Sequence, residues 1–465
     1  MAEPVAHRQI APETEEAFGL DAAFVDEVAA ALRADNKQRV RDLVGDLHYA
    51  DMADLLERLD AEDRRLLVES IRDDFNPDVL PELAEEVRDE VMNALGFEDF
   101  AAALDQLDSD DAVYVASKLT AEERAQVAAR MPQASRMLIE QGLAYAEDSA
   151  GRLMQREFVA VPNYWTVGET IDYMRAVQNL PEKFYVVFVV DPRNRPQGQV
   201  ELSRLLRSKR PERMKDLTDE DVEPIALDLD REDVAFLFKQ RNLVSAPVVD
   251  KSGRLVGQIT IDDIVDVIEE EAEEDILKMA GVGNADVSSL YSAIIRTASS
   301  RFPWLAINLV TAFVASSVVG LYEDSIAKLA ALAVLMPIVA GMGGNAGTQT
   351  LATAVRALAT RDLNASNALR VTGRELFVGM INGLLFATIV GAMAWLWFED
   401  IFLSLAIAGA MMINLTVAGF AGIMIPLTLN KFGADPAASA GVFLTTVTDI
   451  VGFFTFLGLA TLIVL

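Results

Sequence analysis

The chain has 465 residues, a formal net charge of −31, no cysteine and two histidines. Without cysteine there is no disulfide framework, thiolate metal site or thiol nucleophile, and His7 and His48 do not form the His-Glu-x-x-His signature of a zinc protease. No Gly-x-x-x-x-Gly-Lys-Ser/Thr run occurs, so P-loop ATP hydrolysis is not expected.

The charge is divided unevenly. From Val287 onward there are eight Lys/Arg and eight Asp/Glu, which leaves 32 basic and 63 acidic groups, the whole excess, in the first 286 residues. Such a surface repels nucleic acid and anionic lipid headgroups and attracts cations. The alternative is a solvated acidic domain with no bound ion. The opening MAEPVAHRQIAPETEE has no apolar h-region and is expected to be a flexible arm in the cytosol over residues 1–20, not a signal peptide.

From Asp21 to about Gln141 the pattern is helical. Leu55, Leu56 and Leu59 form an apolar stripe, and Leu104, Leu107, Val113 and Val115 a less regular one. Leu59-Asp-Ala-Glu-Asp-Arg64 and Leu119-Thr-Ala-Glu-Glu-Arg124 repeat a helix start, with Asp60 or Thr120 as the cap and Asp63 or Glu123 three residues on. A solenoid-like stack of short helices is predicted. Near Asp148 the pattern changes. Phe158–Val161, Phe184–Val190, Ser245–Asp250 and Leu255–Ile261 read as buried strands, with helices at Val167–Val177 and Arg231–Gln240 between them. This is a small α/β module present twice.

Asp262–Val282 is predicted as one very acidic helix. It carries Asp262, Asp263, Asp266, Glu269, Glu270, Glu271, Glu273, Glu274 and Asp275, and an apolar stripe of Ile264, Val267, Ile268, Ala272 and Ile276. Cations that bridge these carboxylates to another acidic surface would make the arrangement cation-dependent; the other reading is a solvated face.

Five membrane spans follow, near Pro303–Leu321, Ala327–Ala352, Leu376–Trp397, Phe402–Leu429 and Ala438–Leu465. The loop from Arg356 to Arg374 carries four arginines, whereas the loops near Glu323 and Glu399 are acidic. The positive-inside rule therefore places the N-terminus in the cytosol and the C-terminus outside. Asp449 lies inside the last span, with Thr445 one turn and Gly441 two turns before it and Gly452 almost one turn after. A carboxylate at membrane depth marks an ion path or a wet cavity unless a buried base pairs with it. In span two, Pro337–Thr350 has four glycines with Asn345 and Gln349 one turn apart, which suggests irregular backbone around water or close packing glue. Asn308, Asn382 and Asn414 are expected to make hydrogen bonds between helices.

Arg301-Phe-Pro-Trp304, Gly343-Gly-Asn-Ala-Gly-Thr-Gln349, Arg356-Ala-Leu-Ala-Thr-Arg-Asp362 and Thr448-Asp449 closely resemble the MgtE-type magnesium transporters and channels. Ser149-Ala-Gly-Arg-Leu-Met154, Ala246-Pro-Val-Val-Asp250 and Gly257–Asp263 resemble the family's tandem cystathionine-β-synthase (CBS) modules, the first module being divergent at Gly198–Ser203. The resemblance implies a homodimer in the lipid bilayer of a bacterial-type cell (inner) membrane. Its pore follows the twofold axis, Asp449 holds hydrated Mg²⁺, and the acidic helix is a plug that closes the pore when Mg²⁺ joins the cytosolic domains. Asp250, Asp262, Asp263 and Asp266, with Glu269, Glu270, Glu273 and Glu274, are the expected regulatory ligands, and Thr445, Gly441, Asn345 and Gln349 the expected pore residues beside Asp449. Some members of the family also bind ATP at the CBS pair.

The fold class expected is a multidomain membrane protein with an all-α N-terminal array, α/β tandem CBS modules and an all-α five-span domain. The divisions are 21–146, 147–267, the connecting helix 262–285 and 286–465. No catalysed reaction is expected. A transporter of another divalent cation such as Mn²⁺ or Co²⁺, a CBS-regulated anion channel and a membrane sensor without transport remain open at this point.

Overall fold

The structure is a computed structural model that describes residues 20–178, 180–181, 183–219, 223–282, 294–364 and 366–464. The arm before Leu20 and the junction 283–293, where the connecting helix was expected to run into the first span, lie outside the described residues. The chain forms two compact units, one ending at Ile268 and the other beginning at Glu269.

The first unit opens with α1 (Ala22–Arg33), α2 (Lys37–Val44), α3 (Tyr49–Arg58), α4 (Ala61–Ile71), α5 (Val79–Glu82), α6 (Glu85–Leu104), α7 (Ser109–Lys118), α8 (Ala121–Ala128) and α9 (Gln133–Leu143). Each start has a local cause. Asp60 accepts from the backbone N–H groups of Glu62 and Asp63 at 3.1 and 2.9 Å, and Thr120 and Glu123 close a complete capping box. Asp63 does not reach back as Glu123 does. It is buried and accepts from Arg33 at 2.5 Å, so a tertiary ion pair replaces the local one.

The repeat has a third copy, Leu83-Ala-Glu-Glu-Val-Arg88, which the sequence reading missed because no Ser, Thr or Asp marks its start. Buried Arg64 donates to Leu56 O and Leu59 O, and buried Arg88 donates to Leu80 O and Leu83 O at the same spacing. Each guanidinium satisfies carbonyls left open by the preceding helix end. Leu55, Leu56, Leu59, Leu104, Leu107, Val113 and Val115 are all buried in one core, as their stripes predicted.

After α10 (Ala150–Leu153), the modules comprise β1 (Ala160–Pro162), α11 (Val167–Ala176), β2 (Val186–Val190), β3 (Pro196–Glu201), α12 (Leu202–Arg207), α13 (Met214–Leu217), β4 (Ile225–Ala226), α14 (Arg231–Arg241), β5 (Ser245–Val249) and β6 (Leu255–Thr260). The sheets β1-β2-β3 and β4-β5-β6 share one plan, a parallel pair followed by an antiparallel pair, with a register shift one residue before each hairpin turn. In both turns an aspartate side chain accepts from the backbone two and four residues on: Asp191 at 2.7 and 2.9 Å, Asp250 at 2.8 and 3.0 Å. The divergent Gly198 still does a strand's work. A Cβ there would stand 2.1 Å from Asp219 O, so glycine lets that backbone approach.

Helix α15 (Ile261–Met279) starts at Thr260, whose N–H and hydroxyl both donate to Asp263 Oδ2. Of its apolar stripe, Ile264 and Val267 are buried in the second module, while Ile268 and Ile276 are exposed.

In the second unit, α16 (Ile294–Gly320) and the short α17 (Glu323–Lys328) precede α18 (Ala331–Ala359), α19 (Ala368–Phe398), α20 (Ile401–Lys431) and α21 (Pro436–Ile463). Among the described residues five helices are long and apolar enough to cross a membrane, so this is an integral membrane protein. The boundaries differ from those read from hydropathy. Helix α19 begins at Ala368, which puts Arg370, Arg374 and Glu375 within its first turns and not in a loop. Polar residues at the interface lower the hydropathy without ending the helix. The Gly-rich stretch of α18 is a continuous helix, not irregular backbone. Its glycines serve packing: a Cβ at Gly343 would stand 2.2 Å from Asn414 Nδ2, and one at Gly347 would stand 2.9 Å from Leu444. Gly379 and Gly383 let α19 approach the carbonyls of Leu415 and Met412 on α20 in the same way.

Candidate functional site

The membrane part of the site is built around α21. Asp435 accepts from Ala437 N at 2.8 Å and so caps that helix at its N-terminus. Thr448 is fully buried and turns its hydroxyl back to Leu444 O and Thr445 O. Asp449, one position on, is half-buried and has no hydrogen-bond or ion-pair partner among the described residues. No base is there to pair it. Thr445 is exposed and bonded to Gly441 O, and among the described residues only Met279 O comes within 4 Å of a Cβ placed at Gly441, at 3.9 Å. Gly441, Thr445 and Asp449 therefore present an open strip of small and oxygen-bearing groups with one charge.

Asn414 of α20 is completely buried and donates to Val339 O of α18 at 2.9 Å, the bond between helices expected of it. It fits because Gly343 and Gly452 leave room on both sides. Asn345 and Gln349 are exposed on α18, two residues along from Gly343 and Gly347 and so on another face. Gln349 lines a cavity of about 170 Å³ with Thr350, Thr353, Glu375 and Asn382, and no residue of α21 takes part in it. Within one chain, then, Gln349 shares this cavity with Glu375 and not with Asp449. Glu375 was missed because it follows Arg374 at the assumed edge of a span.

The second part of the site lies in the first unit, where helix α7 meets the second CBS module. Glu157 Oε2 accepts from the N–H and hydroxyl of Ser109 at the start of α7. Gln155 donates to Asp110 Oδ2 at 3.4 Å, Gln258 donates to Gln155 Oε1 at 2.8 Å, and Ser245 donates to Gln258 at 2.9 Å. A buried chain of hydrogen bonds thus joins α7 to strands β5 and β6. Asp110 Oδ1 is buried with no partner among the described residues. Such a group is costly unless a proton or a cation compensates it.

The acids around it respond accordingly. Burial, then the charge of Asp263, raises the Asp110 carboxyl well above its ordinary range. Burial and Asp110 push Asp111 up to about 8, and burial and Asp262 push Asp263 to about 7. Burial and Asp266 raise Glu82. No three acidic or histidine side chains among the described residues converge tightly enough to ligate a metal directly.

A carboxyl raised in this way holds its proton in the packed arrangement. Its stabilising contribution is complete at acid pH and is lost as pH rises through about 7 to 8. In divalent-free buffer, cleavage at exposed Glu147 by a Glu-specific protease is therefore expected to be slow near pH 6 and roughly tenfold faster near pH 9. Rates are taken relative to an unfolded control, and a flat ratio would contradict the prediction.

The other expected regulatory residues lie at the β5–β6 turn and along α15. Asp250 serves the β5–β6 turn, and its bonds to the Ser252 hydroxyl and Arg254 N–H hold its carboxyl low. Asp262, Asp266, Glu269, Glu270 and Glu273 are exposed on α15, and Glu274 is half-buried. Asp110, Asp111 and Glu157 were missed. Asp110 and Asp111, in the first turn of α7, look like ordinary dipole partners, and nothing local says that Asp110 is buried and Asp111 half-buried.

The membrane segment matches the family described as divalent cation transporter over residues 336–459. Residues 47–148 match the MgtE intracellular N domain and 214–270 the CBS domain. A magnesium transporter MgtE of Enterococcus faecalis is 33% identical over 324 residues, covering 70% of this chain and 71% of that protein. One of Thermus thermophilus is 30% identical over 450 residues, covering 93% and 97%. A crystal structure of the cytosolic domain of the Mg²⁺ channel MgtE in complex with ATP matches 52% of this chain and 99% of its own, with 27% identity and a TM-score of 0.48.

Proposed function

The chain belongs to the MgtE family of divalent cation transporters, and we propose that it is a Mg²⁺ channel whose acidic cytosolic unit closes it when Mg²⁺ is abundant. The observation that carries this reading is Asp449, a carboxylate in the middle of α21 without a partner among the described residues. Moving a divalent ion through hydrocarbon is the barrier to be lowered, and there is no bond chemistry. One carboxylate is half of what a divalent ion needs. A second copy of the chain would supply the other half, across a twofold axis lined by Gly441, Thr445 and Asp449. Mg²⁺ gives up its waters reluctantly, so two carboxylates around a hydrated ion suffice. The exposed faces of α16 and α18, with Phe302, Leu305 and Phe313 on α16, would then be covered by lipid or by the second copy. The N-terminus is taken to be cytosolic and the C-terminus outside.

The regulatory part of the reading rests on the orphaned oxygen of Asp110 and the acids beside it. In the absence of divalent ions and at alkaline pH, Asp110, Asp111 and Asp263 repel one another. A hydrated Mg²⁺ among them would favour the packed state by its differential affinity, and by no more than that. Since α15 begins at Asp263's own turn, the packing of this cluster sets where the connecting helix starts. ATP at the CBS pair enters only through the resemblance, and no step of this reading runs through it.

Purified protein in liposomes tests the function. Mg²⁺ flux that saturates, and falls when millimolar Mg²⁺ bathes the cytosolic unit, is expected. Faster flux of Mn²⁺ or Co²⁺ would reassign the substrate. Absence of any cation flux would leave a sensor without transport.

A further inference from the structure

Helix α15 carries nine carboxylates between Asp262 and Asp275 and one basic residue, Lys278, in its last turn. The Nζ of Lys278 lies 2.5 Å from Glu274 Oε1, one turn earlier, and 2.8 Å from Asp435 Oδ2. Asp435 is the N-cap of α21, and its other oxygen accepts from Ala437 N at 2.8 Å and Ala438 N at 3.4 Å. One carboxylate thus starts the helix that bears Asp449 and receives the ammonium of the connecting helix. The next residue, Met279, packs against the cluster of Leu351, Val355, Ala437, Ala440 and Leu444. Its carbonyl oxygen lies 3.9 Å from where a Cβ at Gly441 would stand, on the strip that leads to Asp449.

We propose that Lys278 is the joint between sensor and gate: a built-in counter-ion that holds the end of α15 on the N-cap of α21 and passes the movement of α15 to the helix carrying Asp449. Its consequence for flux rests on the gating reading above. A covalently attached ammonium does what a free ion cannot, since it keeps its place at any Mg²⁺ concentration. Burial disfavours its charge, but the hydrogen bonds to Asp435 and Glu274 outweigh that and raise the lysine overall. Without it, Asp435 would be left near Asp275 and Glu274 with no cation between them. Asp275 already feels this crowding: burial and then Asp435 raise it, and Lys278 lowers it. Removing the ammonium therefore does more than delete a contact. It turns an attraction between two helix ends into a repulsion.

The experiment uses the full chain in liposomes with Lys278→Met, Lys278→Arg, Asp435→Asn and the double variant Lys278→Met/Asp435→Asn. Asparagine keeps the cap and loses the charge. Lys278→Met and Asp435→Asn are each expected to raise the Mg²⁺ concentration that halves the flux by roughly three- to tenfold. Lys278→Arg should stay within about twofold, and the double variant should be no worse than either single one, because both remove the same bond. A Lys278→Met variant that closes like the parent overturns the proposal. So does an arginine variant as impaired as the methionine one, or a double variant whose defects add. If the parent chain itself ignores Mg²⁺, the gating reading fails, and the joint is judged on thermal unfolding of the same four variants in detergent. Non-additive losses there uphold it and additive losses overturn it. Should Lys278→Met fail to accumulate, Asp435→Asn carries the same expectations.

Discussion

Replacing Asp449 with alanine is expected to lower Mg²⁺ flux by about a hundredfold or more while the protein still inserts and assembles. The size follows from the cost of a charge at bilayer depth, about 3 kcal/mol even on the mildest scale, which the facing carboxylate offsets for the ion. Losing that offset raises the barrier by a comparable amount. Assembly should survive because Asp449 makes no hydrogen bond or ion pair among the described residues, whereas the packing of this stretch of α21 falls to Thr448 and Gly452. Asp449→Asn separates charge from shape: it keeps the volume and the hydrogen-bonding oxygen and should be nearly as inactive as alanine. Asp449→Glu keeps the charge and should retain measurable flux. Initial rates of Mg²⁺ entry into liposomes, at matched protein content, check all three. Normal entry through the alanine variant would remove Asp449 from the ion path.

The second large effect concerns gating. Millimolar Mg²⁺ is expected to slow nicking in the exposed segment around Ala144–Asp148 by roughly tenfold or more, as a ligand that binds only the packed state must once its concentration far exceeds its dissociation constant. The segment reports on the packing because it sits between α9 and α10, and Arg152 holds it through Tyr145 O at 3.1 Å. Asp110→Asn combined with Asp263→Asn should bring the ratio of rates with and without Mg²⁺ to within about twofold. The same pair should leave the channel open at Mg²⁺ concentrations that shut the parent. Neutralising the pair removes both the repulsion that Mg²⁺ relieves and the charge that would bind it, so the baseline is free to move while the Mg²⁺ response disappears. Asp262→Asn and Asp266→Asn, on exposed positions, should have smaller effects. Sodium chloride at matched ionic strength is the control. If it protects as well as Mg²⁺ does, the effect is screening between charged surfaces and not binding.

The sequence by itself determined the features that depend on neighbours along the chain. The acidic half and the neutral apolar half were plain from composition, and five spans from runs of hydropathy. Thr120 and Glu123 announced a capping box. Asp-x-Ser-Gly-Arg at Asp250 is the writing of a turn as well as of an acidic site, and the structure shows the turn. Local spacing carries such information because helix caps, turns and stripes are made by residues a few positions apart.

What only the tertiary structure decided is which polar groups lose their water, and beside whom. Asp110 and Asp111 are ordinary acids of a helix start by sequence, but the fold buries Asp110 and half-buries Asp111. Gln349 was grouped with Asp449 by sequence, and the fold adds Glu375 and Asn382 as the polar residues that line a cavity with it. Gly343 looked like a helix breaker, but in a continuous helix it makes room for Asn414. Lys278 and Asp435, far apart in the chain, become partners at 2.8 Å. Burial and pairing are sums over neighbours brought together by packing, so a carboxylate's ordinary or shifted behaviour is not written in its own residue or in those beside it.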